Sequence, residues 1–144
     1  MRVLVATNIL VRSVQRSHPN MRIARLALRS LVAKGVELCV NPQNIAEFWS
    51  VCTRPVAANG LGHSIFATDR LTSRIERFFT VLPETLETFR QWRRLIVDNV
   101  VKGSKVHDAR LVSIMLVHDI AEVLTFNVGD FRRYRQIVAV RPKA

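Results

Sequence analysis

The sequence predicts a single α/β domain with a mainly parallel central sheet of about five strands flanked by helices. Short apolar runs rich in β-branched residues alternate with longer segments of helical periodicity, which is typical of a parallel sheet. The 144 residues, of which 49% are hydrophobic, are enough for one core and too few for two ordinary domains. Because no repeat or linker interrupts the pattern, we expect residues 1–144 to form one domain.

The first part of the chain predicts two strands separated by two helices. Val3–Val5 is a β-branched apolar run, and Thr7 directly after it leads into a helix. A second helix is predicted over about 21–34, with apolar residues on one side and arginines on the other, and Gly35 ends it. The apolar run at 36–40 is the second predicted strand.

Turn and cap residues divide the middle of the chain. Asn41-Pro42 is predicted to begin a helix of about a dozen residues, because Asn caps helices well and Pro suits the first helical position. Arg54-Pro55 ends it. The stretch Ala57–His63 contains two glycines and is predicted to be loop, and a helix follows over about 64–79. A short third strand is predicted at 81–82.

The last part of the chain predicts two more helices and two more strands. Apolar residues recur at helical spacing over 85–99, and Lys102–Ser104 breaks the pattern. A further helix is predicted over about 106–118. The remaining strands are predicted at 122–125 and 137–140. Strands and helices therefore alternate to the end of the sequence.

The charge of the chain indicates a polyanionic partner. Lys and Arg number 22 against 11 Asp and Glu, which gives a formal net charge of +11. Nucleic acid or an acidic protein suits this charge. An anionic membrane surface is a weaker interpretation, because the basic residues are dispersed and no run approaches the roughly 18 apolar residues of a membrane span. We therefore expect no membrane partner.

The cysteine and histidine patterns argue against several kinds of site. Cys39 and Cys52 lack the spacing of a zinc site or a disulfide framework, so a reducing cytoplasm is expected. The four histidines are scattered and form no H-E-x-x-H pair. His107 adjoins Asp108, but neighbouring helical residues point in different directions. Glycine-rich nucleotide loops and nucleophile elbows are also missing from the sequence.

Polar segments follow the predicted strands at the edge where parallel sheets gather functional groups, beyond their carboxyl ends. Four segments are expected to converge there, and they are Ala6–Asn8, the helix with Glu47, the start of the helix with Asp108, and Thr125–Asp130. Asp108 shares a helical face with three apolar residues, which directs it inward. Favourable interaction with the helix dipole is by itself a sufficient reason for an acid at this position.

Two of these segments also have structural interpretations. Glu47 lies in an otherwise apolar stretch, and periodicity alone favours an ordinary solvent-facing glutamate. Asn127 and Asp130 follow a strand, where such residues commonly stabilise turns. Local patterns therefore leave structural and functional roles open for all three residues.

Taken together, these segments resemble the PIN-domain family of metal-dependent nucleases, especially the VapC-type ribonuclease toxins of type II toxin–antitoxin pairs. The resemblance covers nearly the whole chain, and its order and spacing are more specific than any one piece. The segments that carry it are Val3–Leu10, Asn44–Trp49, Val106–Val112 and Leu124–Phe131, with Thr53–Pro55 and Asn59–Gly62 similar to one branch of the family.

The resemblance implies a site for Mg²⁺ or Mn²⁺. Glu47 and Asp108 would be metal ligands, and Asp130 or Asn127 would fill the fourth position. The supporting residues implied are Thr7, Asn8 and Thr125. Oxygen ligands suit hard divalent cations, and clustered carboxylates repel one another without one.

Ala6 departs from the family pattern, which has an aspartate at this position. A methyl group cannot coordinate a metal, so we expect weakened metal binding and poor or absent RNA cleavage. Either the substitution is a deliberate inactivation of a toxic nuclease, or the chain lost its activity naturally. Retention of every other motif segment favours a substitution in an otherwise functional enzyme.

The resemblance implies a metal-dependent endoribonuclease that binds RNA and a cognate antitoxin protein and forms a homodimer. The arginines next to the acidic motifs are candidate RNA-binding residues, namely Arg54, Arg110, Arg132 and Arg133. The alternative is a catalytically inactive PIN-fold module that binds RNA or protein. A DNA-directed nuclease is a third interpretation, because two-metal sites also cleave DNA.

Overall fold

The computed structural model describes residues 1–143, which fold into three layers with a sheet between two sets of helices. Short 3-10 turns at Val56–Ala58, Gly103–Lys105 and Val128–Phe131 join some of the elements. In chain order the strands and α-helices are β1 (Arg2–Val5), α1 (Thr7–Val14), α2 (Asn20–Ala33), β2 (Glu37–Val40), α3 (Pro42–Thr53), α4 (Ile65–Phe78), β3 (Thr80–Val81), α5 (Leu86–Asp98), α6 (Val106–Val117), β4 (Glu122–Leu124) and β5 (Val138–Val140).

The five strands form one sheet in the order β3-β2-β1-β4-β5. The prediction of a mainly parallel five-stranded sheet is confirmed, and every pairing in the described sheet is parallel. Leu4 pairs with Cys39 on one side and with Val123 on the other, so β1 is the central strand. The carboxyl ends of β1 and β4 therefore meet at one edge of the sheet.

The sheet separates two hydrophobic cores, and the alternation of side chains along β1 supplies both. Leu4 packs with α5 and α6 on one face, and Val3 and Val5 pack with α1 to α4 on the other. Helix α6 is buried around most of its circumference. A helix buried in this way is held firmly, so it can carry a functional side chain at its exposed end.

The predicted element boundaries agree with the structure to within one or two residues, and the differences have local causes. The third strand lies at Thr80–Val81, whereas 81–82 was predicted. The Leu82 amide still donates to Val40 O at 2.7 Å, but Pro83 has no N–H to continue the ladder. Val36 lies outside β2 because its amide donates to Leu31 O and closes the end of α2.

Thr125 and Ile137 were predicted in strands and lie just outside them. The Thr125 hydroxyl accepts a hydrogen bond from the Asn127 amide at 3.0 Å, and this contact turns the chain away from the sheet. The predicted loop at 57–63 includes part of the 3-10 turn Val56–Ala58. Among residues 1–143, no helix has the length and apolar character needed to cross a bilayer.

The loop between α3 and α4 folds back along the end of α3. Leu61 N donates to Val51 O, Gly62 N to Arg54 O and His63 N to Cys52 O, at 2.8 to 3.0 Å, so these bonds pair carbonyls at the end of the helix. Gly60 passes so close that a Cβ there would lie 2.1 Å from Arg54 O. The absence of a side chain at this position lets the loop pack against α3.

We expect Gly60→Ala to lower the free energy of unfolding by about 1–3 kcal/mol, because the added methyl group collides with backbone. Urea denaturation of the purified chain measures the change. Gly129→Ala is the matched control, since a Cβ there meets nothing within 4 Å. Equal stability of the two variants would contradict the tight packing of this loop.

Candidate functional site

An open cleft of about 350 Å³ lies beyond the carboxyl ends of β1 and β4. It is lined by residues from all four segments that the sequence predicts to converge. The cleft residues predicted from the sequence are Ala6, Thr7, Asn8, Glu47, Arg54, Asp108, Asn127 and Asp130. Thr125 is fully buried beside them. The structure thus brings the predicted site together, and the roles of its residues stay predictions.

Asn8 joins the start of α1 to the turn that follows β4. Its Nδ2 donates to Thr125 Oγ1 at 3.0 Å, and its Oδ1 accepts from the Phe126 amide at 3.0 Å. The Ala6 amide donates to Leu124 O at 3.0 Å and extends the β1–β4 pairing. These bonds hold residues 6–8 against residues 124–127, so the two chain segments enter the cleft in a set arrangement.

Glu47 extends from α3 toward the cleft, and two side chains orient its carboxylate. Thr7 Oγ1 donates to Glu47 Oε1 at 3.3 Å, and Gln43 Nε2 donates to the same oxygen at 3.1 Å. Gln43 Nε2 also donates to the His107 carbonyl at 3.0 Å, which ties α3 to the start of α6. The sequence left open whether Glu47 is solvated or compensated, and the structure shows an exposed carboxylate with hydrogen-bond partners.

The position of α3 is in turn set by a capping box at its start. Asn41 Oδ1 accepts from the Asn44 amide at 2.9 Å, and Asn44 Oδ1 accepts from the Asn41 amide at 3.0 Å. The Asn44 side chain also donates to Thr7 Oγ1 at 3.1 Å. One buried residue therefore caps α3 and contacts the hydroxyl that orients Glu47.

Asp108 lies in the first turn of α6 and is half-buried, in accordance with its inward prediction. Burial raises the pKa of its carboxyl, and the nearby Asp130 and Glu47 carboxylates raise it further. Lys105 and His107 oppose the rise. The ionised carboxylate is therefore under-compensated, and an added cation in the cleft would stabilise it.

Asn127 and Asp130 occupy the 3-10 turn region that follows β4. The Asp130 amide donates to Asn127 O at 3.1 Å, so both residues stabilise the turn as well as line the cleft. The Asp130 carboxylate forms an ion pair with Lys105, with Nζ 2.8 Å from Oδ1. The sequence left open which of the two residues supplies the fourth position, and both side chains reach the cleft.

The oxygen atoms of the cleft fit a hard divalent cation in chemistry. Three carboxylates face one cleft, and the position at the end of β1 carries only the methyl group of Ala6, which is 3% exposed. Within residues 1–143 no three His, Cys, Asp or Glu side chains already stand close enough together to hold a metal ion. Metal binding would therefore require these carboxylates to draw together.

The two cysteines take no part in this site. Both are buried and unpaired, and burial raises the pKa of each thiol to about 11. A protonated, buried thiol is a poor metal ligand and a poor nucleophile. The chemistry of the cleft is therefore that of its carboxylates.

Comparison with known families identifies the domain. The pattern of the PIN domain matches residues 3–137, which is nearly the whole chain. The chain belongs to the PIN domain family. No curated protein matches the chain in sequence.

Several solved structures are similar to this PIN domain in fold. VapBC2 from Rickettsia felis, bound to a DNA fragment from its promoter, is 14% identical with a TM-score of 0.73 and 98% coverage of both chains. The sarcin-ricin-loop-cleaving toxin VapC20 from Mycobacterium tuberculosis is 18% identical, with a TM-score of 0.61 over 84% of this chain and 86% of that chain. FitAcB from Neisseria gonorrhoeae is 19% identical, with a TM-score of 0.67 over 99% of this chain and 98% of that chain. At these identities the likeness shows the fold.

The four candidate RNA-binding arginines of this PIN domain occupy different places. Arg54 lines the cleft. Arg110 pairs with Glu84 at 2.7 Å and lines a separate pocket of about 430 Å³ between α5 and α6. Arg132 and Arg133 are exposed and lie outside the cleft lining. Of the four, only Arg54 lines the cleft, whereas Arg110 also lines a neighbouring groove of about 450 Å³ together with Glu47.

Sequence reasoning missed several residues of the site. Some signals were present: Gln43 precedes Glu47 by four residues and Lys105 precedes Asp108 by three, which are the spacings of helical neighbours. The contacts of Arg12 and Asn59 with the cleft depend on tertiary packing, and local spacing holds no sign of them. The missed residues are Arg12, Gln43, Asn44, Asn59 and Lys105.

We expect Asp108→Asn to stabilise the fold at neutral pH in the presence of chelator. An acid whose pKa is raised in the folded state disfavours folding once it ionises, and this cost is absent below the unfolded pKa of about 3.9. The variant should therefore exceed the original chain in free energy of unfolding at pH 7. The difference should shrink as the pH falls toward 3.

Asp69→Asn is the matched control for the loss of one carboxylate, because Asp69 is exposed on α4 and outside the cleft. Urea denaturation at several pH values measures both variants. An equal, pH-dependent rise in the free energy of unfolding of both variants, or no rise for Asp108→Asn, would contradict the charge imbalance in the cleft.

Proposed function

We propose that this PIN domain is a VapC-type toxin, a metal-dependent endoribonuclease that hydrolyses RNA phosphodiester bonds, and that Ala6 impairs it. The observation that carries the proposal is the convergence of Glu47, Asp108 and Asp130 on one cleft, with position 6 at its base. The family and the fold of the toxin–antitoxin structures support the same activity.

In this proposal Glu47, Asp108 and either Asp130 or Asn127 hold Mg²⁺ or Mn²⁺. When bound, such an ion activates water and offsets charge on the scissile phosphate. The carboxylates meet the ligand preference of these ions. With Ala6 in place of the aspartate at the first acidic position of the family pattern, the affinity for the ion falls and the proposed cleavage is weakened.

The remaining cleft residues position the acids and the RNA. Thr7 and Gln43 hold one oxygen of Glu47 and leave the other available. Arg54 and Arg12 lie in the same cleft as the carboxylates and supply positive charge for the RNA backbone. The net charge of +11 favours RNA binding over the whole surface.

The proposed partners follow from the similar structures. Several of them are complexes of a toxin with its antitoxin, and we propose that a cognate antitoxin also binds this chain. A homodimer and a cytoplasmic location complete the proposal, the latter supported by the two unpaired cysteines.

A catalytically inactive RNA- or protein-binding module is the second candidate. The lack of a ligand at Ala6 and the Lys105–Asp130 ion pair favour it, because both reduce the cleft's capacity for a metal ion. A carboxylate at position 6 should produce RNA cleavage if the chain is an impaired nuclease and no cleavage if it is a binding module.

We expect Ala6→Asp to turn the chain into a ribonuclease that requires Mg²⁺ or Mn²⁺. The new carboxylate would line the same cleft as the three acids and add an oxygen ligand for the ion to draw together with theirs. Cleavage of pooled RNA by the original and the substituted chain, with each metal and with chelator, measures the effect. Loss of essentially all metal-dependent cleavage is expected when Asp108→Asn is added to Ala6→Asp.

Ala6→Asn is the matched control, since asparagine has nearly the same size as aspartate and carries no charge. Cleavage by Ala6→Asp that persists in chelator would contradict the metal dependence. Silence of Ala6→Asp on the pooled RNA with either metal would favour the binding module.

A further inference from the structure

Lys105 forms the one ion pair within 4.0 Å that involves a cleft carboxylate, in the part of the chain that the structure describes. Its Nζ lies 2.8 Å from Asp130 Oδ1. The chain turns at Gly103, with φ of 61°, and the following 3-10 turn brings Lys105 to the start of α6. The residue therefore approaches the acids from the same connection that presents Asp108.

We propose that Lys105 is a tethered cation that occupies the Asp130 side of the cleft and competes there with the divalent ion. This inference rests on the proposed function, because it assumes that the same carboxylates bind metal. Lys105 sets the metal affinity of the cleft by pairing with Asp130 and does not itself bind the metal ion.

The competition follows from charge and from shared oxygen atoms. Asp130 Oδ1 accepts a hydrogen bond from Lys105, so this oxygen is less available to a metal ion. An ammonium group next to Asp130 also repels a divalent cation that binds there. A metal ion must then either displace Lys105 or bind Asp130 only through its other oxygen.

The charges around Lys105 are consistent with a cation that lies beside the cleft carboxylates. The Asp130 hydrogen bond and charge raise the pKa of Lys105, and the Asp108 carboxylate adds to the rise. Lys105 partly offsets the negative charge around Asp108. One ammonium charge therefore does part of what a divalent ion would do in the same cleft.

The size of the effect is bounded by exposure. The Lys105 and Asp130 side chains are 49% and 32% exposed, so water screens their attraction. We therefore expect removal of the lysine charge to raise the affinity for a divalent ion by no more than about fivefold. A deeply buried pair would block the metal far more strongly.

The test is the affinity of the full chain for Mn²⁺, measured by electron paramagnetic resonance of the free ion. Lys105→Gln should bind Mn²⁺ more tightly than the original chain, and Lys105→Arg should not. Lys102→Gln is the matched control. It removes the same charge three residues before Lys105, and Lys102 has no ion pair among residues 1–143. The same affinity for the two glutamine variants, or weaker binding by Lys105→Gln, would overturn the proposal.

A second measurement uses the unfolding temperature and needs no activity. In chelator, Lys105→Gln should unfold at a lower temperature than Lys102→Gln, since the carboxylates lose their counter-charge. Saturating Mn²⁺ should close that gap. A gap that is absent in chelator, or unchanged by Mn²⁺, would overturn the proposal.

Failure of this inference can be told apart from failure of the proposed function. If Ala6→Asp cleaves RNA with Mn²⁺ while Lys105→Gln leaves Mn²⁺ affinity unchanged, the nuclease stands and the competition is wrong. If Lys105→Gln tightens Mn²⁺ binding while Ala6→Asp cleaves nothing, the competition stands and the nuclease is wrong. If no variant binds Mn²⁺ at millimolar concentration, both are wrong.

Discussion

The two hydrogen bonds of the Asn8 side chain are the constraint on which the cleft depends. They join the exit of β1 to the exit of β4 through Thr125 and Phe126. Since the strands are parallel neighbours, both chain segments leave the sheet at the same edge, and Asn8 keeps them there. Position 6 and Asp130 thereby face one space. Acids that lie far apart in the sequence line one cleft because this edge is held.

The balance of charge in that space decides what the molecule can do. Asp108 is half-buried near the carboxylates of Glu47 and Asp130. Among residues 1–143, the only cation that forms an ion pair with any of these three carboxylates is Lys105, which pairs with Asp130. In the proposed function, Ala6 stands in place of one negative charge and one oxygen ligand. If the proposed function is right, the cleft is intermediate between a metal site and a neutralised groove, and changes at positions 6 and 105 should shift it in either direction.

The fold could be predicted from the sequence because its determinants are local. Apolar runs such as Val3–Val5 predict strands, and caps such as Asn41 mark helix starts, so the succession of elements along the chain and a mainly parallel sheet could be predicted. Errors were confined to ends, where single contacts such as the Thr125 hydroxyl with the Asn127 amide decide the outcome. The convergence of the acids followed from the rule that parallel strands present their carboxyl ends at one edge.

What the sequence could not supply were pairings between distant residues. Arg110 adjoins an acidic motif, yet it pairs with Glu84, which is 26 positions away. Gln43 orients Glu47 and also bonds to the His107 carbonyl, 64 positions away. Such contacts depend on how the start of α6 lies relative to α3 and to the segment before α5, and periodicity within one helix contains no information about these relative positions.

The central claim is that position 6, Glu47 and Asp108 surround one metal position. A crystal structure of the Ala6→Asp chain with Mn²⁺, with data collected for anomalous scattering of manganese, tests this most directly. We predict an anomalous peak within ligand distance of the side chains at positions 6, 47 and 108. A manganese peak bound elsewhere, or a cleft without one at saturating Mn²⁺, would contradict the account.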